Sequence, residues 1–158
     1  MSKSAESPYS YETLFIKNHI KSTEILEMIK QKRFNEILDG FGHIKDNCII
    51  IEFKFFKYFS MPVTHDLITS HMDQIMKELT SKYDTFNVHV NFQSCSIADA
   101  DKHSSYCKYI NGIFSEKYPD KLNMCYVYNA SFVFETIFKV AKVFMDKDTL
   151  KKIVLVKE

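Results

Sequence analysis

The sequence predicts an α/β fold: a mixed, mainly parallel sheet flanked by helices. Three observations carry this. Strand-like and helix-like periodicities alternate along most of the chain. The segment FNVHVNF sends Phe86, Val88, Val90 and Phe92 to one side and Asn87, His89 and Asn91 to the other, as a strand does. Residues 117–156 then place a tyrosine-rich strand, a helix rich in Phe and Val, and an apolar strand KIVLV in succession.

At 158 residues the chain has the length of one domain. Residues 1–9, polar and carrying Pro8, are expected to be flexible, and 10–158 to form a single domain whose part 10–45 is helical. Leu14, Phe15 and Ile20 open the helical part. Ser22 or Thr23 is then placed to cap a helix with Ile25, Leu26 and Ile29, and the pattern resumes at Phe34, Ile37 and Leu38. NCIIIEFKFFKYF alternates through Ile51, Glu52, Phe53, Lys54 and Phe55, the pattern of a half-buried strand ended by Pro62. Thr64 is expected to cap a helix with Leu67, Ile68, Met72, Ile75, Met76 and Leu79 on one face. Asp99 or Asp101 opens the next helix, with Tyr106, Ile110, Ile113 and Phe114 as its stripe, closed by Tyr118-Pro119. MCYVYN is a strand, 131–145 a long helix and KIVLV the last strand.

Composition narrows the function. The net charge of +1 provides no field to attract a polyanion, and Arg33 is the only arginine, which argues against nucleic acid. Gly40, Gly42 and Gly112 fall in no phosphate-cradling motif. Cys48, Cys95, Cys107 and Cys125 lack a C-x-x-C pair, which suits free thiols in a reducing, cytoplasmic setting.

Several constellations invite chemistry. His103 and Cys107 share a helix face and Cys95 lies upstream, yet a structural zinc site needs a fourth ligand that is not evident, so no metal or other cofactor is expected. Ser94 and Ser96 lack the glycines of a nucleophile elbow, and no catalytic residues are assigned. His65 and His71 are read as solvent-facing. His89 and Asn91 either face solvent or, if both sheet faces are covered, need hydrogen-bond partners. In the helix over 132–145, Glu135, Lys139 and Lys142 form a narrow polar stripe. Val133, Phe134, Ile137, Phe138, Val140, Ala141, Phe144 and Met145 fill a broad apolar arc, with Phe132 and Val143 beyond the stripe. That arc suits either a helix wedged in a core or one with a second face on an apolar ligand, a bilayer or another subunit.

Residues 117–156 resemble the second half of a CRAL-TRIO domain, the fold of phosphatidylinositol/phosphatidylcholine transfer proteins and of tocopherol and retinaldehyde carriers. The resemblance is carried by Tyr118-Pro119-Asp120, Leu122, Asn129-Ala130, Phe134, Phe144-Met145-Asp146 and Thr149-x-x-Lys152-Ile153, in that order. Residues 47–116 are compatible with the same order of elements. Departures are Asp120 for the family's Glu, Ser131 where Pro is usual, and Val143 where a Lys-Pro pair would put Pro. The family's N-terminal bundle is reduced to 10–38, and its C-terminal floor has no counterpart before Glu158, so the fold is expected to be truncated at both ends.

The resemblance implies a lipid-binding protein without enzymatic activity, meeting membranes peripherally and transiently through 131–152 and capable of lipid transfer. Its ligand would be a phospholipid or another hydrophobic molecule, with phosphoinositide a candidate. It assigns the headgroup to Asp120, Thr149 and Lys152 and makes the helix after Asn129-Ala130 a gate, while the apolar arc of that helix is expected to set Phe134, Phe138 and Phe144 against an apolar pocket or a subunit interface. The alternative is a ligand-free interaction or dimerisation module. A homodimer is expected through the apolar helix or a neighbouring strand edge.

Overall fold

A computed structural model describes residues 4–5 and 9–156. Of the segment 1–9, expected to be flexible, residues 1–3 and 6–8 lie outside the described residues, while Ser4–Ala5 form the short strand β1. The remaining strands are β2 (Gly42–Lys45), β3 (Cys48–Glu52), β4 (Phe86–Asn91), β5 (Leu122–Tyr128) and β6 (Ile153–Val156). They form one sheet in the order β1-β6-β5-β4-β3-β2. Every neighbouring pair is parallel except β2 with β3, so the mixed, mainly parallel sheet predicted above is the one observed.

Parallel neighbours need crossover connections, and helices provide them. Helices α1 (Tyr11–Leu14), α2 (Ser22–Lys30) and α3 (Phe34–Phe41) precede β2. Between β3 and β4 lie α4 (Phe53–Phe59) and α5 (His65–Lys82). Between β4 and β5 come α6 (Ile97–Lys102) and α7 (Ser104–Lys117), and between β5 and β6 come α8 (Phe134–Ala141) and α9 (Lys147–Lys151).

Strand alternation divides the side chains between two covered faces. On the front face, Ile49, Ile51, Phe86 and Val88 pack against Met72, Ile75, Met76 and Leu79 of α5 and Phe114 of α7. Farther along that face, Cys125, Val127, Ile153 and Leu155 lie under α8. On the back face, Cys48, Ile50, Tyr126, Tyr128 and Val156 are covered by Tyr9, Tyr11, Leu14 and Phe15. A separate core joins α2, α3 and α4 around Ile25, Ile37, Phe55 and Phe59 and reaches Ile68 of α5 and Tyr106 of α7.

Several local expectations are corrected. The alternation through Phe55 does not stay a strand: β3 ends at Glu52 and Phe53 starts α4. Four phenylalanines in seven residues satisfy a helix as well as a strand, and burial against α2 and α3 decides for the helix. That packing needs Gly40, where a Cβ would stand 2.5 Å from the Phe55 ring. Strand β2 was not foreseen. It pairs with β3 through the turn Asp46–Asn47, where Asp46 adopts φ 54°.

Cap positions also shift. Helix α2 begins at Ser22 behind Lys21, and α6 begins behind Ser96, whose Oγ accepts from the Asp99 N–H at 3.1 Å. Thr64 precedes α5 but donates to the Phe59 carbonyl instead of capping, and Leu67 faces solvent. His65 and His71 are both half-buried and partnered, with the Ser60 hydroxyl at 3.1 Å and the Gly42 carbonyl at 2.7 Å respectively. The helix expected over 131–145 is regular only over Phe134–Ala141, and residues 142–145 continue as tightening turns.

Candidate functional site

The apolar floor and its cover come from the third crossover of the parallel sheet, between β5 and β6. β5 ends at Tyr128, and Asn129 turns the chain with φ 54°, a left-handed conformation that Asn tolerates better than most residues. Its amide donates to the Asn91 side-chain oxygen at 2.9 Å and to the Tyr11 hydroxyl at 3.0 Å. The strand end is therefore tied to both its neighbour β4 and the N-terminal segment. The turn at Ala130 then launches α8 across the front face, with the Phe134 N–H donating to the Ala130 carbonyl at 2.6 Å.

Helix α8 presents two unlike faces. Phe134 and Phe138, with ring centroids 5.9 Å apart, are buried over Val127, Cys125, Ile153 and Leu155. Phe132 just before the helix is 96% exposed and Val143 just after it 75% exposed. Phe144 is half-buried. The stripe of Glu135, Lys139 and Lys142 lines an open depression of about 380 Å³ together with Thr136 and Phe138, and the Lys142 ammonium lies 5.8 Å from the Phe138 ring centre. Of the three phenylalanines expected against a pocket or interface, two thus seat the helix on the sheet. The third sits in the turn beyond it.

The three residues assigned to a headgroup stand near the amino ends of β5 and β6. Asp120 is exposed, at φ 58°, two residues before β5. Its neighbour Tyr118 donates from its hydroxyl to Asp73 of α5 at 2.8 Å, and Lys117 pairs with the same carboxylate oxygen at 2.8 Å. These bonds hold the Asp73 carboxyl below the usual range, the Lys117 bond first. Thr149 and Lys152 belong to the α9 turn. There Asp146 accepts from the Thr149 N–H at 2.7 Å, and this bond, with one from the Thr149 side chain, holds the Asp146 carboxyl below its ordinary value. Lys152 adds a smaller attraction to Asp146.

The fold therefore gathers Thr149, Lys152 and the unforeseen Asp146. Asp120 forms no ion pair with Lys152: β6 starts opposite Cys125, and Lys152 stands level with Met124. The signal for Asp146 was present in the sequence, since an Asp three residues before Thr149 is a helix N-cap pattern.

The back face carries a polar row that sequence reading caught only in part. Glu52, Asn91 and Tyr128 are register partners at the carboxyl ends of β3, β4 and β5. Asn91 donates to the Glu52 Oε1 at 3.3 Å, the Tyr11 hydroxyl at 2.9 Å and the Asn18 side-chain oxygen at 3.3 Å. One row back, His89 shares a hydrogen bond with the Tyr128 hydroxyl at 2.8 Å and stacks on Tyr126. The condition set for His89 and Asn91 is met: the face is covered, and both have partners. Glu52 went unnoticed, although a lone carboxylate in IIIEF was the clue.

The sulfur and imidazole groups considered for zinc are dispersed in character. His103 is buried edge-on against Phe56, and burial lowers its pKa. Cys95 lies beside the α8 core, its thiol pushed up to about 11 by burial, and Cys107 is exposed. Among the described residues, no three His, Cys, Asp or Glu are grouped to hold a metal ion. No helix among them is long and apolar enough to cross a membrane.

A family model described as the CRAL/TRIO domain matches residues 31–158. The crystal structure of Sfh5 is similar to this chain with a TM-score of 0.62 and 19% sequence identity, over 92% of this chain and 61% of that one. The chain thus spans about three fifths of the length of Sfh5, and at this identity the likeness is one of fold. Among curated proteins, no sequence matches it.

Proposed function

Because the chain belongs to the CRAL/TRIO domain family, we propose that it binds a lipid or another hydrophobic ligand between α8 and the front face of the sheet, with no covalent step. The observation that carries this reading is the two-faced α8. Its inner face rests on an apolar floor of Cys125, Val127, Ile153 and Leu155, while Phe132 and Val143 stand in solvent beside Lys139 and Lys142. An acyl chain entering under a lifted α8 replaces one apolar contact by another, and each buried methylene contributes about 0.8 kcal/mol. The exposed Phe132 and Val143, flanked by lysines, suit transient contact with an anionic bilayer surface, where apolar tips insert and ammonium groups stay in the headgroup layer.

Thr149 and Lys152 are the groups to which an anionic headgroup, such as a phosphoinositide, would bind. The ligand phosphate would compete there with Asp146 for the same hydroxyl and ammonium. Asp120, two residues before β5, would complete the rim. Transfer would follow from opening at one membrane and closing in solution. The same exposed Phe132 and Val143 also favour a second reading, a homodimer joined through this surface.

Native mass spectrometry after incubation with phosphatidylcholine vesicles, with and without phosphatidylinositol, tests both. One retained lipid per chain, lost in Phe138→Asp, is the expected result. A lipid-free dimer at tens of micromolar, roughly where a weak interface still forms, would replace the carrier reading by the interaction module.

A further inference from the structure

The back face of the sheet is closed by residues 9–20, a strap that lies outside the matched family region 31–158. Its anchors are apolar and polar in mixture. Leu14 and Phe15 are buried over Cys48, Ile50, Tyr128 and Val156. The Tyr11 hydroxyl accepts from Asn91 at 2.9 Å and Asn129 at 3.0 Å, and the Lys54 ammonium donates to the Asn18 carbonyl at 2.6 Å. Beneath it, closure leaves two polar atoms without a hydrogen-bond partner: Oε2 of Glu52, 1% exposed, and Nε2 of His89, 0% exposed. A buried polar atom left unpaired disfavours the state that buries it. The closed strap therefore gains from its apolar and aromatic side chains and its hydrogen bonds, and loses at Glu52 and His89.

We propose that residues 9–20 form a proton-linked lid that opens the sheet face opposite α8 independently of α8 itself. The groups around Glu52 are Lys54 of α4, Lys17 and His19 of the strap, and Asn91 of β4. Those around His89 are Tyr126 and Tyr128 of β5 and the edge-on ring of Tyr9. Burial raises the Glu52 carboxyl above its ordinary 4.5, an effect that Lys54 only partly opposes, and lowers His89 from 6.5 to about 4.

The signs follow from linkage. Above pH 4.5 the open lid lets Glu52 ionise, so rising pH favours opening until the carboxyl also ionises under the closed lid. Below pH 6.5 the open lid lets His89 take a proton, so falling pH favours opening down to about 4. Opening uncovers Cys48, Ile50 and Val156 with the row Glu52, Asn91 and Tyr128 at the carboxyl ends of β3, β4 and β5.

Two cysteines report the two faces, Cys48 under the strap and Cys125 under α8. Their modification by a dithiodipyridine, which reacts from acidic to alkaline pH, is followed by peptide mass spectrometry in wild type, Glu52→Gln and His89→Gln. Relative to Glu52→Gln, wild-type Cys48 should react faster as pH rises above 4.5, by about tenfold per pH unit before a plateau. Relative to His89→Gln, it should react faster below pH 6.5, by up to about tenfold per pH unit, with the excess levelling off below about pH 4. Cys125 should show neither excess. Tyr11→Phe, which removes the accepting hydroxyl, should raise Cys48 reactivity at every pH without changing the profile's shape, and it serves if a sheet variant does not fold. Cys48 and Cys125 reacting in parallel, or Cys48 profiles indifferent to both sheet variants, would overturn the lid.

Discussion

Helix α8 and the strap cover the same sheet from opposite sides, α8 over Cys125 and Val127 and the strap over Cys48, Ile50 and Tyr128. Cys125 and Tyr126 are adjacent in β5 yet belong to different covers, because successive strand residues point to opposite faces. The contact beneath α8 is apolar on both sides, and among the described residues no polar side-chain atom of its floor is left buried without a partner. The contact beneath the strap is mixed, and Glu52 and His89 make its closure depend on hydrogen bonds and on protonation. One sheet thus carries an apolar cover, where we place the ligand, and a mixed cover, which we propose responds to pH.

The largest expected effect breaks the front cover. Phe134→Ala should cost about 3–5 kcal/mol of global stability, because the ring is buried in a shared core with Val127 and Ala130. Urea unfolding measures it, and a loss below about 1 kcal/mol would mean that α8 is not part of the cooperative core. The corresponding change on the back, Phe15→Ala, should cost less than that 3–5 kcal/mol, since a lid that opens by itself cannot lose more than its docking free energy. Its effect should appear first as faster Cys48 modification. Equal losses for the two substitutions would erase the distinction between the covers.

Asn129 links both covers, and its variants sharpen how. Asn129→Gly keeps the left-handed turn and removes both side-chain bonds, for about 1–3 kcal/mol. Asn129→Ala adds the left-handed penalty of about 1–2 kcal/mol, which the difference between the two melting curves should report. The smallest effect on stability is Phe132→Ser, within about 0.5 kcal/mol for a residue that touches little. Combined with Lys139→Glu and Lys142→Glu, it should nonetheless reduce sedimentation with phosphatidylserine-containing vesicles several-fold. Undiminished vesicle binding would remove the membrane role from this surface.

Legibility followed the length scale of each signal. FNVHVNF, MCYVYN and KIVLV were readable because period-two alternation or an apolar run between turns directly reflects a strand. The α4 segment was misread because FKFFKYF satisfies two periods at once, and only its packing on α2 and α3 selects one. Strand β2 is too short for a periodicity to declare itself, and its pairing with β3 defines it. Among the candidate site residues, Thr149 and Lys152 were legible as a pair three residues apart. Asp146 was legible only as a cap. Its contact with Thr149 and its attraction to Lys152 appear once the turn is built.

By itself the sequence determined the family, the alternation of strands and helices, and the excess of apolar surface around α8, since each is a pattern along the chain. Tertiary structure alone decided that Phe134 and Phe138 face the sheet while Phe132 faces solvent. It also decided that Tyr11 and Asn18 meet Asn91, some 80 and 73 residues away, over Glu52, whose Oε2 has no hydrogen-bond partner. The reason is physical. Periodicity records which side a residue takes within its own element, whereas burial and hydrogen bonding depend on which element arrives to cover that side.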